Sequence, residues 1–234
     1  MDNPWKQLPD NGPYVVPADA KNIEEHNKEI LKLQYQTDVV PQPYIGSPSA
    51  PVYLLALNPG YCNRDIDPEQ ISNLAKVKRD TLMHNVDSAE YPFYPIDPEH
   101  RDTSTGEWWW KRLRKLAHDV GTKNLAKNIF CVEYISYHSS KYSKMKMGNT
   151  EDRLLSQQYS GHLVQQALNE GKEIVFMRSQ KLWESLVDGL ADYPNKHELN
   201  SNRSVYITSG NLKTYDRLVT ILRQQRSQDS TTQA

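Results

Sequence analysis

Four short runs of strand-forming residues, well apart along the chain, constrain its fold most: Val52 to Leu57 (VYLLAL), Lys127 to Tyr137 (KNIFCVEYISY), Glu173 to Met177 (EIVFM) and Ser204 to Thr208 (SVYIT). Each is rich in Val, Ile, Phe or Tyr, which suit a pleated, half-buried surface. Helical periodicity fills the gaps. Trp109, Leu113 and Leu116 stand at i, i+4 and i+7, and Leu155, Tyr159 and Leu163 are four apart between Glu151 and Asn169. Leu182, Leu186 and Leu190 repeat that spacing, and Leu212 to Gln225 makes a last helix. Strands alternating with helices predict right-handed crossovers and a parallel sheet covered on both faces. The expected fold is α/β, a three-layer α/β/α sandwich around a four-stranded parallel sheet.

Residues 1–40 read as an N-terminal arm, with four prolines in its first 18 residues, followed by an amphipathic helix from Ala20 to Gln36. The stretch TDVVPQPYIGSPSAP is then a long extended connection into the first strand. Residues 41–226 read as one α/β domain and 227–234 as a disordered tail; 234 residues suit a single domain with peripheral additions.

Charge and composition narrow the classes of function. With 28 basic and 29 acidic side chains the formal charge is -1, so any nucleic-acid binding must come from a local patch. Hydrophobic residues make up 37%, and 14 Tyr and 5 Trp supply large apolar faces for a core. Cys62 and Cys131 are too few for a disulfide framework and lack the clustered spacing of a zinc site, which fits reduced thiols in a cytoplasm. The opening residues MDNPWKQLPDNGPYVV show neither a basic n-region nor an apolar run, and no segment approaches the roughly 20 apolar residues of a membrane span, so secretion and membrane insertion are not expected. No motif calls for a cofactor or a metal.

In a parallel sheet the carboxyl ends of the strands share one edge, and ligands gather there. The first strand delivers Asn58, Pro59, Gly60 and Tyr61; the second Glu133, Tyr134, Tyr137, His138, Ser139 and Lys141. The third delivers Arg178 and Ser179, and the fourth Thr208, Ser209, Gly210 and Asn211 at a helix start. Asn-Pro-Gly is ordinary turn chemistry, yet it also gives a donor and acceptor, a stiff link and room for close approach. Lys141, Lys144 and Lys146 make a basic loop suited to phosphate oxygens, or simply a solvated face. The helix start after the fourth strand is either a plain cap or an anion site. The tryptophan run 108–110 is read first as core, with Trp109 on the apolar stripe, and contact of Trp108 or Trp110 with a ligand is the alternative.

These pieces resemble the uracil-DNA glycosylase superfamily, especially its mismatch-specific and single-strand-selective branches. LALNPG at Leu55 to Gly60 matches the family's Gly-(Ile/Met)-Asn-Pro-Gly loop, with Ala56 in place of the leading glycine. The chain is also similar to bacterial members carrying Leu-Asn-Pro-Gly, a Tyr-His-Ser segment and a Gly-Asn-Leu ending. The resemblance implies that Asn58 positions the attacking water and that a flipped base lies on the loop backbone, stacked by an aromatic from YPFYPIDP, Phe93 or Tyr94. Two positions depart from the family. Glu133 stands near the place of a base-reading carboxamide, where a carboxylate favours a base edge that offers donors over uracil. ITSGNL replaces the His-Pro-Ser loop after the last strand.

Cleaving an N-glycosidic bond needs oriented water on one face and a stabilised leaving base on the other. Asn58, Glu133 and His138 are the candidate catalytic residues. Asp65 and Asp67 are further carboxylates near in sequence. Pro59, Gly60, Tyr61, Phe93, Tyr94, Tyr137, Arg178, Ser209, Gly210 and Asn211 are candidates for substrate binding, and Lys141, Lys144 and Lys146 for phosphate. Three readings follow: a glycosidase acting on DNA or a nucleotide, a non-catalytic module recognising a nucleotide or a single-stranded or damaged nucleic acid, and an unrelated α/β partner-binding protein.

Overall fold

The computed structural model describes residues 1–30, 33–62, 72–145, 153–201 and 203–232. The fold is α/β, with a five-stranded, mostly parallel sheet flanked by helices. Its strands are β1 (Tyr44–Gly46), β2 (Val52–Ala56), β3 (Ile129–Glu133), β4 (Glu173–Phe176) and β5 (Lys196–Glu198), in the order β1-β3-β2-β4-β5. β2 pairs in parallel with β3 and β4, β4 in parallel with β5, and β1 runs antiparallel to β3. The helices are α1 (Pro17–Glu29), α2 (Ser72–Leu82), α3 (Ser104–Val120), α4 (Thr122–Asn128), α5 (Leu155–Asn169), α6 (Gln180–Glu184) and α7 (Tyr215–Thr232).

β2 occupies the centre because every one of its residues can be buried. Tyr53 and Leu55 point into one core with Trp5, Ile23, Tyr159 and Leu163, contributed by the N-terminal segment, α1 and α5. Val52, Leu54 and Ala56 point into the other, among Trp109, Leu113 and Leu116 of α3, Leu125 of α4 and Leu218 of α7. Each fully buried aliphatic side chain contributes about 1.5–3 kcal/mol by removal from water, so this strand anchors both layers. The N-terminal segment belongs to the first core: Trp5 is fully buried with its ring 5.9 Å from that of Tyr137. Asp19 of α1 accepts from Leu155 N (2.8 Å) and from Tyr137 Oη (2.9 Å), tying α1 to the start of α5. Burial raises its carboxyl above the usual range despite those bonds.

Several expectations are corrected. The sheet has five strands and one antiparallel edge instead of four parallel strands. β1 lies inside the proline-rich connection, and the prolines around it suit an edge strand. Ser204 to Thr208 is not a strand. Val205 and Ile207 are buried, and Ile207 N donates to Arg112 O of α3 (3.2 Å), while the polar tripeptide Lys196–Glu198 takes the place beside β4. The helix expected through Leu190 is the single short α6 followed by a separate 3-10 turn at Leu190–Asp192. α1 ends at Glu29 rather than Gln36, and α7 runs to Thr232, into the stretch read as a tail. Among the described residues no helix is long and apolar enough to cross a membrane.

Candidate functional site

The chain runs from β2 to β3 on one side and later to β4 on the other, so a crevice opens beyond the carboxyl end of β2. A cavity of about 780 Å³ lies there. Its floor comes from Ala56 to Cys62 after β2, Glu133 at the end of β3 and Met177 and Arg178 after β4. One wall is the loop His138 to Tyr142, and the other is the first half of α3.

The two loops after β2 and β3 continue the sheet's pairing. Ile135 N donates to Leu57 O (2.9 Å) and Ser139 N to Pro59 O (3.2 Å), and Gly60 bridges Ser139. Side chains lock the same pair of loops. Asn58 Nδ2 donates to Ser139 Oγ (2.9 Å) and to Pro59 O (3.0 Å), and His138 Nδ1 donates to Gly60 O at 2.6 Å. A carbonyl only accepts, so Nδ1 is the protonated nitrogen of that ring. Both donors of the Asn58 amide are thus engaged, while its Oδ1 accepts nothing among the described residues. Trp183 Nε1 donates to Ala56 O (2.8 Å) and secures the end of β2. Arg178 is followed by Ser179 at φ 59°, a left-handed conformation costly for a residue with a side chain, where the backbone turns into α6.

Glu133 is only 4% exposed, and its Oε2 has no hydrogen-bond partner among the described residues. Burial pushes its carboxyl up to about 8, against a smaller opposing pull from Arg178. At neutral pH it is therefore mainly the neutral acid, carrying one O–H donor and an acceptor oxygen. That revises the expectation of a carboxylate favouring donor-rich edges: the neutral group can donate and accept. Beside it, Gln42 accepts from Tyr94 Oη through Oε1 (2.9 Å) and lines the cavity, with no partner for its amide nitrogen among the described residues. A carboxamide is present after all, supplied by the proline-rich connection.

Lys111, Arg112, Lys141 and Arg178 line the cavity, and none of the four forms an ion pair among the described residues. Arg112 lies flat over Trp108, its guanidinium carbon 3.6 Å from the ring centre, and its Nη1 donates to Trp108 O (2.8 Å). Burial first, and the charge of Arg178 second, press Arg112 below the usual arginine range. Trp108 is 37% exposed, one of two large hydrophobic side chains this open among the described residues. This wall depends on Gly106: a Cβ there would stand 2.0 Å from His100 O, so only glycine lets α3 begin where it does.

Of the sequence-derived candidates, the structure brings together Asn58, Pro59, Gly60, Tyr61, Glu133, His138, Lys141 and Arg178. It does not bring Phe93 or Tyr94, which are core: Phe93 meets Trp109 edge-on at 5.0 Å, and Tyr94 is spent on Gln42. Tyr137 is fully buried against Asp19 and Val16. Ser209, Gly210 and Asn211 lie away from the cavity because the strand meant to deliver them does not form; Asn211 instead holds Ser201 N, Ser204 O and Tyr206 O. Lys144 is exposed and does not line the cavity, and Lys146, Asp65 and Asp67 lie outside the described residues. Missed were Gln42, Lys111 and Arg112, and Trp108 was only the alternative to a core reading. The i, i+4 pair Trp108 and Arg112, one step round from the apolar stripe of α3, was the available signal. Among the described residues no group of three His, Cys, Asp or Glu side chains is placed to hold a metal ion.

The site thus belongs to an α/β protein whose cleft, lined by both polar and apolar groups, opens at the carboxyl edge of its sheet. Compared with known protein-family models, with curated proteins and with solved structures, the chain gives no match in any of the three.

Proposed function

We propose that the cleft binds a nucleotide unit, base inward and phosphate outward, and hydrolyses its N-glycosidic bond, in DNA or in a nucleotide, in the manner of the uracil-DNA glycosylases that the LNPG loop resembles. The observation that carries this reading is the state of Asn58: its amide donors are held by Ser139 and Pro59, which leaves Oδ1 as an oriented acceptor at the cavity floor. A water held there is positioned rather than merely concentrated. Glu133, as a neutral acid, donates to the departing base as negative charge develops on it, and Gln42 adds a second donor. His138, held by Gly60 O, keeps the loop after β3 against the LNPG loop. Trp108 offers an apolar face at the mouth, and Lys141 and Arg178 attract phosphate. A cavity of about 780 Å³ falls within the range of small-ligand pockets, roughly 300–1,000 Å³.

The test uses oligonucleotides holding uracil, hypoxanthine or a mismatch, heated in alkali to reveal abasic sites, together with free nucleoside monophosphates followed by chromatography of the released base. The expected result is release from at least one substrate and a loss of about 10²-fold or more in Asn58→Ala. No release from any of them, or release undiminished in Asn58→Ala, would overturn hydrolysis. Recognition without cleavage is the second reading, favoured by the same Asn58 bonds, which also serve simply to fasten two loops. It predicts binding without release.

A further inference from the structure

Resting on the nucleotide reading above, we infer that the Arg112 and Arg178 side of the cavity receives a terminal phosphate monoester, so that the ligand class is free nucleoside monophosphates rather than residues inside a nucleic-acid chain. Arg112 is already immobilised by stacking on Trp108 and by its bond to Trp108 O, so its fork is set before a ligand arrives. Its Nε is buried and has no partner among the described residues. Arg178, exposed on the facing edge, makes no side-chain hydrogen bond or ion pair there, yet its charge bears on Arg112. Neither arginine forms an ion pair among the described residues, although the protein pairs its cations readily elsewhere, as with Lys115 and Asp119 or Lys172 and Glu170. Glu133 does not fill the gap: it forms no ion pair with either arginine among the described residues.

The missing partner is an anion with enough oxygens for two guanidinium forks. A phosphate monoester carries about -1.5 to -2 at neutral pH and three strong acceptor oxygens. A diester within a chain carries a single charge and two free oxygens, and must lead flanking nucleotides in and out on both sides. Planar guanidinium groups bind such oxygens in pairs, which an ammonium cannot do. Lys111, one residue before Arg112, lines the same cavity and forms no ion pair among the described residues.

Calorimetric titrations of the 234-residue chain would compare deoxyuridine and deoxyinosine with their 5′-monophosphates, with the methyl esters of those monophosphates and with a short single-stranded oligonucleotide. A monophosphate is expected to bind at least about tenfold more tightly than its nucleoside and than its methyl ester, with Arg112→Gln and Arg178→Gln each erasing that gain. Inorganic phosphate should compete with the monophosphate and not with the nucleoside. Methyl esters or oligonucleotide binding as tightly as the monophosphate would overturn the monoester and leave the nucleotide reading standing. If none of the compounds binds protein whose circular dichroism is that of a folded α/β chain, the nucleotide reading falls and this inference with it. The comparison of ester and monoester is made on the unaltered protein, so it stands even if an arginine variant fails to fold.

Discussion

At the amino end of β4, Glu173 gives one carboxylate oxygen to His197 and the other to Arg217 Nη2 at 2.8 Å, and the second nitrogen of His197 meets Thr214 Oγ1 at 2.7 Å. At the carboxyl end of β3, two strands away, Glu133 is equally buried and has no hydrogen bond on Oε2 among the described residues, while Lys111, Arg112, Lys141 and Arg178 of the same cavity form no ion pair there. The two carboxyl groups differ in what surrounds them rather than in depth. Buried charge is tolerated when paired, and a buried group left unpaired costs stability. The amino end is therefore organised to hold β5 and α7 to the sheet, whereas at the carboxyl end Asn58 Oδ1, Glu133 Oε2 and the guanidinium of Arg178 have no partner among the described residues, as the proposed ligand site requires. Elements at a binding edge commonly carry such unspent polar groups and local strain, and Ser179 adds the strain here.

This contrast can be broken most strongly through pH. The Glu133 carboxyl sits at about 8 in the folded protein and near its ordinary 4.5 once unfolded. Between those values the folded state keeps a proton that the unfolded state has lost, so stability present below pH 4.5 drains away as pH rises through 8, by up to about 5 kcal/mol. Glu133→Gln keeps the shape and removes the titration. Denaturant unfolding at steps from pH 5 to 9 should give a falling curve for the wild type and a flatter one for the variant, with the variant the more stable at pH 9. Parallel curves would mean that Glu133 is solvated or paired.

The amino end answers next. Glu173→Ala leaves a buried imidazole and the nearby guanidinium without their carboxylate and should cost about 3–5 kcal/mol, at the lower end because Arg217 is half exposed. A fall in the urea midpoint measures it, and nucleotide binding should be unaffected. Asn58→Ala removes one fastening between two loops and should cost about 1 kcal/mol of stability, while the proposed hydrolysis should fall by about 10²-fold or more. Smallest of all, Arg178→Ala should change stability by no more than about 0.5 kcal/mol, since the side chain makes no contact that holds the fold. A large loss there would show that Arg178 serves the fold.

How much of this the amino-acid sequence disclosed depends on whether a residue's role is local. β2 was legible almost to the residue because a strand buried on both faces must be apolar throughout. The LNPG loop and Glu133, His138 and Arg178 followed from it, since parallel order places strand ends together whatever lies between them. Lys196–Glu198 was not legible, because an edge strand of three polar residues is created by the neighbour it pairs with and not by its own composition. SVYIT had the composition of a strand and spent it on packing against α3. That one exchange removed Ser209, Gly210 and Asn211 from the site. Gln42 had no signal beyond flanking prolines. Trp108 and Arg112 look like any aromatic and cation on a helix until the start of α3, fixed by Gly106, is seen to face the sheet's carboxyl edge.

The claim that the carboxyl end is kept for a ligand and the amino end for the fold meets its most direct test in thermal unfolding with and without a nucleoside monophosphate. At about 100 times its dissociation constant the ligand should add about 2.7 kcal/mol and raise Tm by several degrees. That rise should disappear in Arg178→Ala, whose own Tm is unchanged, and persist in Glu173→Ala, whose own Tm is low. No rise in the wild type, or a rise lost in Glu173→Ala and kept in Arg178→Ala, would contradict the account.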